Sequence, residues 1–272
     1  MNTSFADIEK KENRKDLIIS ICVFLSGFSC FAQLYYFQPL LPDLAKDFIL
    51  SASESSFAIS FSTLGMVFGL FTTMFVADRI PRKKMIGTGL LSSSIFSVAA
   101  SFSPTFLPLI LLSAAKGFLL SGATSVSMAY IAEEVSSRNK GKIMGLYIAG
   151  NALGGMAGRV ISSWIGALYT WRIASVSIGL ICALFAILFL LFSPRSTNFM
   201  PRKESFHTLI IANLQLITSK ALIPFYLTGG LILGVFVSLY NYLGFYLTKA
   251  PFNFPEHYIH YIYLMYIFGI FG

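Results

Sequence analysis

The sequence predicts an all-α integral membrane protein that crosses the bilayer several times, and three observations predict it. Charged residues make up 12% of the 272-residue chain and hydrophobic ones 56%, about half the charged fraction of an ordinary soluble domain. Apolar stretches of about 20 residues, the length a helix needs to cross hydrocarbon, recur from end to end. The basic residues sit in short runs between those stretches, so the net charge of +8 reads as a device that orients spans and not as a nucleic-acid surface.

In chain order, a polar segment 1–16 carries Lys10, Lys11, Arg14 and Lys15. The apolar run after it continues from about Leu17 to Leu41, too long for a signal peptide, and no small-residue cleavage site follows, so it is the first span. It ends at the turn Pro39-Leu40-Leu41-Pro42, and a polar connection, Asp43 to Ser53, leads to the second span, about Glu54 to Ala77. The charged loop Asp78-Arg79-Ile80-Pro81-Arg82-Lys83-Lys84 separates it from the third, Met85 to about Phe102. The fourth runs from Phe106 to about Ala132 and exits at Glu133-Glu134. The fifth runs from about Ile143 to Leu168, and the sixth from Ile173 to Phe192.

A polar linker, 194–220, then divides a six-span region, 17–193, from a remainder, 221–272. From Phe206 the linker repeats apolar residues at helical spacing (Leu209, Ile210, Leu214, Ile217), which suits a helix on the membrane face or one packed under the bundle. A seventh span covers about Ala221 to Leu247, and an eighth starts near Tyr258, about 15 residues, or ~22 Å of helix, before Gly272. Fifteen of the twenty Lys and Arg residues fall on one side of this topology and three, Lys46, Arg172 and Lys249, on the other. The positive-inside rule then places the N-terminus in the cytoplasm. Cys22, Cys30 and Cys182 lie inside spans, where free cysteine acts as a small apolar residue, and no disulfide is expected.

Phe31-Ala32-Gln33-Leu34-Tyr35-Tyr36-Phe37 in the first span is echoed 205 residues later by Phe236-Val237-Ser238-Leu239-Tyr240-Asn241-Tyr242 in the seventh. The offset suits two parallel structural repeats, the plan of many secondary transporters.

These features resemble the major facilitator superfamily, in particular its bacterial efflux-type members with twelve helices. The pattern Gly-x-Leu-Ala-Asp-Arg-x-Gly-Arg-Lys stands here as Met74-Phe75-Val76-Ala77-Asp78-Arg79-Ile80-Pro81-Arg82-Lys83, with both glycines replaced. Gly150-Asn151-Ala152-Leu153-Gly154-Gly155-Met156-Ala157-Gly158-Arg159 resembles the glycine-rich segment of exporters. Tyr240-Asn241-Tyr242 with Ala250-Pro251-Phe252 is similar to the YnfM-like branch of sugar or drug efflux permeases. In the fourth span the family's Arg-x-x-Gln-Gly is Ser113-Ala114-Ala115-Lys116-Gly117, a lysine at the glutamine position and no arginine. The resemblance implies a complete six-helix N-terminal bundle, the first two helices of a second bundle, and proton-coupled efflux of a small organic solute by alternating access. It further implies a bacterial inner membrane location and a monomer in the full-length form. Other readings are a truncated, non-transporting product and a membrane sensor or interaction protein of the same fold. Membrane lipids and a small solute are the expected partners, with no nucleic acid, cofactor or metal and only a proton gradient as driving force. No phosphate-binding loop, metal cluster or nucleophile triad suggests an enzyme.

Several residues invite a functional reading. Lys116 lies ten residues, ~15 Å of helix, into the fourth span, where a charge costs on the order of 3 kcal/mol to insert. It reads as a coupling or solute-attracting cation, or as a charge satisfied by buried carbonyls. Arg159 lies ~24 Å along the fifth span, where snorkelling or pairing with Asp43 competes with solute contact. Gln33, Tyr35, Tyr36 and Gln38 of the first span and Tyr240 and Asn241 of the seventh supply amides and phenols for one shared cavity, or else for an interfacial aromatic belt. Asp78, Arg79, Arg82 and Lys83 form either a conformational latch, which the family resemblance places between the two bundles, or a solvated loop that fixes topology. Gly150, Gly154, Gly155 and Gly158, with Gly145 and Ala149, mark a face for close helix approach. His257 and His260 could titrate or sit at the interface.

Overall fold

The computed structural model describes residues 5–201, 206–255 and 259–264, and among them the regular structure is entirely helical. Arg202, Lys203, His257, the side chain of His260 and the start of the eighth span at Tyr258 lie outside the described residues. The long helices are α1 (Phe5–Tyr35), α4 (Phe57–Val76), α5 (Arg82–Ser101), α6 (Phe106–Glu134), α7 (Lys140–Leu168), α8 (Trp171–Phe192) and α10 (Ile223–Leu247). Short ones are α2 (Leu41–Asp47), α3 (Ala52–Ser55), α9 (Phe206–Ile217) and α11 (Ile259–Leu264). Among the described residues, five stretches are long and apolar enough to cross a membrane: Lys10–Asp47, Ala52–Arg79, Phe106–Glu134, Trp171–Phe192 and Ile223–Leu247. Helices α5 and α7 have the length, 20 and 29 residues, but their serines, glycines and terminal lysines dilute the apolar signal.

The boundaries correct the sequence reading in three places. The first span does not stop at its prolines: a 3-10 turn, Gln38–Leu40, leads into α2, because Pro39 and Pro42 each sit in the first turn of a helix, where the missing N–H costs nothing. The connection Asp43 to Ser53 is therefore largely helical, and Ser51 with Glu54 forms a reciprocal capping box that starts α3. Arg82, Lys83 and Lys84 belong to the first turn of α5, leaving only a short bend around Ile80 and Pro81 between α4 and α5.

Small residues decide how the helices meet. On α7, Gly150, Gly154 and Gly158 recur every four residues and so share one face. A Cβ on Gly154 would lie 2.1 Å from the Phe28 carbonyl oxygen of α1, and one on Gly158 2.7 Å from the Ala32 Cα. Gly145 has nothing within 4 Å of such a Cβ, so it does not belong to that seam. A second glycine seam joins α4 and α6: Gly65 meets the Ala114 carbonyl, Gly69 the Phe118 carbonyl, and Gly117 the Ser62 carbonyl. Backbones in such contact gain dispersion and let neighbouring side chains interlock.

Helices α1 and α4 to α8 enclose two apolar cores. Near the Asp78 end, Ile19, Ile86, Leu90, Val126, Tyr130 and Phe189 pack together. At the opposite end Tyr36, Phe37, Leu40, Leu44, Leu109 and Ile178 form the other. A corner of that second core is tied by Trp171, 4% exposed, whose Nε1 donates to Asp47 at 2.9 Å. Arg172 pairs with the same carboxylate and lies over the Trp171 ring at 4.3 Å. The outward faces carry Leu64, Phe68, Phe71, Leu111, Leu180 and Leu184, all exposed, as a bilayer-facing surface requires. Helix α10 is more exposed still, with only Asn241 and Gly244 fully buried. The apolar positions of α9 are half-buried at Leu209 and Ile210 and exposed at Leu214 and Ile217.

Candidate functional site

The candidate residues of α1, α6, α7 and α10 fall into two clusters, so the amides and phenols of the first span, read as one cavity shared with the seventh or as an interfacial belt, are divided between them. The first forms where α10 meets the end of α1. The 3-10 turn after α1 presents Gln38 inward, α7 presents Arg159 one turn beyond Gly155, and α10 presents Asn241. Arg159 Nε donates to Gln38 Oε1 at 2.5 Å, and Gln38 Nε2 donates onward to Asn241 Oδ1 at 2.8 Å. Arg159 Nη1 donates to the Gly155 carbonyl at 2.6 Å.

Three aromatic rings surround the guanidinium: Tyr35 at 4.5 Å, Tyr240 at 5.0 Å and Phe236 at 5.5 Å from its carbon. Each such contact is worth about 0.5–2 kcal/mol, more as water is excluded. Tyr263 of α11 stacks on Tyr240 at 5.8 Å. Arg159 and Gln38 are each 1% exposed, so of the readings open for Arg159 snorkelling is excluded; the aromatic collar keeps it inside. The result is a planar cation with amides in line and phenols around it, able to hold a polar or aromatic solute.

The second cluster lies inside the bundle. Lys116 on α6 is 1% exposed, with Nζ 4.5 Å from the Tyr36 ring and 5.0 Å from the Phe37 ring. Tyr36 OH shares a 2.9 Å hydrogen bond with Ser175, whose hydroxyl donates to the Ser97 carbonyl. Ser97 Oγ donates to Gln33 Oε1 at 3.1 Å. Gln33, Tyr36 and Lys116 thus face the interior of α1, α5, α6 and α8 and take no part in the contact with α10.

The charged group around Asp78 is a third assembly. Arg82 Nη2 pairs with Asp78 at 2.8 Å and with Glu133 at 3.0 Å, while Nη1 donates to the Ala77 carbonyl at 2.7 Å. The Phe199 ring covers its guanidinium at 4.9 Å. Lys83 Nζ donates to the Ser193 carbonyl, and Arg79 is exposed. Next to this, Glu134 accepts from Lys15, Thr197 and the Asn198 amide at 2.7–2.8 Å. The charges therefore tie the ends of α1, α4, α5, α6 and the segment after α8 to one another. Glu133 and Glu134 were read only as a helix exit; their position one turn beyond Tyr130, on the bundle-facing side of α6, was the signal for a partner to Arg82. Likewise the spacing Gly65-x-x-x-Gly69, less conspicuous than the glycine run of α7, is the sequence signal of the α4–α6 seam.

Apolar-faced helices joined by glycine seams, with the Lys, Arg, Asp and Glu side chains of the described residues kept to the interior and the helix ends, characterise a multi-pass membrane protein. The chain belongs to the Major Facilitator Superfamily, whose sequence profile matches residues 20–272. It is 35% identical to an uncharacterized transporter of Buchnera aphidicola subsp. Schizaphis graminum across 90% of its own length and 59% of that protein's. It is also 35% identical to the inner membrane transport protein YnfM of Escherichia coli K12, over 86% of this chain and 56% of YnfM. The MFS-type transporter YybF of Bacillus subtilis is 32% identical over 86% of this chain and 58% of its own length. The chain thus spans somewhat less than two thirds of these relatives, and the family is one of transporters, not of enzymes.

Proposed function

We propose that the protein is a secondary active transporter that exports a small organic solute, of sugar or drug-like kind, by alternating access in exchange for protons. In this reading α1 and α4 to α8 form a six-helix bundle, and α10 and α11 are the first two helices of a second. The N-terminus faces the cytoplasm of a bacterial inner membrane, the full-length form is a monomer among lipids, and a proton gradient takes the place of any cofactor. The observation that carries the reading is the relay Arg159–Gln38–Asn241, which joins residues before and after the linker through buried, directional hydrogen bonds. A rocking motion between bundles has to break that relay, and breaking it uncovers a cation, two amides and three rings together. Solute contacts then replace the protein's own, which gives the differential interaction that any ligand-driven shift requires.

The test is flux in proteoliposomes across an imposed pH gradient, with candidate sugars and aromatic cations as solutes. Gradient-driven exchange is expected in the wild type, and Arg159→Gln should lower it at least tenfold while membrane insertion stays unchanged. Wild-type rates in Arg159→Gln would overturn the assignment of this site, and absence of gradient-driven flux for the whole solute panel would overturn the exchange reading.

A further inference from the structure

The bundle interior holds one more feature: between the two apolar cores sits a buried ammonium that pairs with no carboxylate among the described residues. All 12 acidic residues of the sequence fall outside the middle of the spans, at Asp7, Glu9, Glu12, Asp16, Asp43, Asp47, Glu54, Asp78, Glu133, Glu134, Glu204 and Glu256. Lys116 Nζ has no hydrogen-bond partner among the described residues, and neither do the Gln33 amide nitrogen or the hydroxyls of Ser29, Ser62 and Ser113. All five side chains are buried, each with 1% exposure or less.

These groups come from neighbouring surfaces. Ser113 and Lys116 are one turn apart on α6, as Ser29 and Gln33 are on α1, so each pair shares a helix face. The Ser62 backbone touches Gly117, the residue after Lys116. Cys182 Sγ of α8 donates to the Ser29 carbonyl, and Ser97 Oγ of α5 donates to Gln33 Oε1, so both helices pack on the α1 face that carries Ser29 and Gln33.

Every unsatisfied atom here can donate a hydrogen bond, and two of them, the ammonium and the amide nitrogen, can only donate. Leaving a buried donor unpaired is costly, and leaving a buried charge unpaired more so. The Tyr36 and Phe37 rings lie against the Lys116 nitrogen at 4.5 and 5.0 Å and offer it only their π faces, which carry no countercharge. One water molecule offers two acceptor sites and brings two further donors; a halide accepts from all sides and supplies the missing charge. All the contributing helices belong to the bundle before the linker, so rocking against α10 does not open the set, and whatever satisfies it is resident and not cargo.

We propose that Lys116, Gln33 and the serine hydroxyls around them bind a single small monovalent anion of the chloride type, held inside the bundle and separate from the Arg159 site. Lys116 is then a charge-balanced structural cation and not the carrier of the exchanged proton.

The chain is purified in detergent in sodium gluconate and titrated with sodium chloride or bromide at constant ionic strength. Thermal unfolding is followed, and bound radiolabelled chloride is counted. A saturable rise in Tm on the order of 5 °C, the scale set by mass action for a site filled well above its Kd, is expected with one chloride bound per chain. Lys116→Met, close in length and free of charge, should fold, bind no chloride and show no halide response. Gln33→Leu should weaken binding at least severalfold. Equal stability of the wild type in gluconate and chloride would overturn the proposal, as would a halide response kept in Lys116→Met. So would a Tm that follows pH through neutrality and ignores halide, the behaviour of a titrating lysine.

Discussion

At the scale of single residues, Lys116 and Arg159 are both 1% exposed but keep different company, one against the rings of Tyr36 and Phe37 inside the bundle, the other in the collar of Tyr35, Phe236 and Tyr240. Lys116 and Arg159 stand out as the two basic residues inside spans, yet which other residues they meet depends on how far each helix is rotated in the bundle, and no periodicity in this chain reports that. Gln33 and Gln38 show the limit: five residues apart, they would point about 140° from one another on a regular helix, and they serve different clusters, one inside the bundle and one at the 3-10 turn facing α10. Arg82, read from the sequence either as part of a conformational latch or as part of a solvated loop, is 7% exposed and bridges Asp78 and Glu133, which rules out the solvated loop at this residue. Its carboxylates are 44% and 26% exposed, so the pair ranks between an exposed one, worth about 0–1 kcal/mol, and a buried one, whose rupture costs about 3–5 kcal/mol. Glu133→Gln should therefore lower the unfolding temperature in detergent by a few degrees, and Arg82→Met paired with Glu133→Leu should recover most of that loss. A double variant less stable than Glu133→Gln would show that the bridge does more than satisfy its own charges.

For whole elements, existence was easier to read than extent. Uncharged runs of about 20 residues identify α4, α8 and α10, because hydrocarbon tolerates little else, and α6 is interrupted only by Lys116. The ends were misplaced where side chains fold back along the axis, as at Arg82, whose bond to the Ala77 carbonyl lets α5 begin three residues earlier than its apolar run. The glycine face of α7 was visible, but its members were not equal, since only the partner helix tells Gly154 from Gly145. This difference is testable. Gly154→Val has to push α1 away and should cost at least the ~1–3 kcal/mol typical of overpacking, seen as a lowered Tm in detergent. Gly145→Ala meets open space and should raise helix stability by up to ~1 kcal/mol. If both variants behave alike, the α1–α7 seam is not held as described.

For the molecule as a whole, the internal echo between Phe31–Phe37 and Phe236–Tyr242 pointed to a meeting of α1 and α10, and Tyr35, Phe236 and Tyr240 do collect around one guanidinium. What pattern could not supply is the relay through Gln38, a product of the 3-10 turn. The proposed alternating access makes this junction open and close, so Gln38→Cys with Asn241→Cys should be joined by a short bifunctional thiol reagent, with transport blocked. Full activity after quantitative cross-linking would mean that α10 does not leave α1 during the cycle.

The Trp171 corner lends the protein a further property. Its only tryptophans, Trp164 and Trp171, flank the turn between α7 and α8, one 54% exposed and the other 4%. Intrinsic fluorescence consequently comes from a single end of the molecule, the end where Gln38 meets Asn241. Trp164 faces outward, open to quenching by brominated acyl chains, whereas Trp171, sealed under Arg172 and bonded to Asp47, emits at short wavelength beyond the reach of aqueous iodide. The unlabelled protein thereby carries its own optical gauge for that end: loosening the corner shifts one emitter toward red and leaves the other as an internal reference.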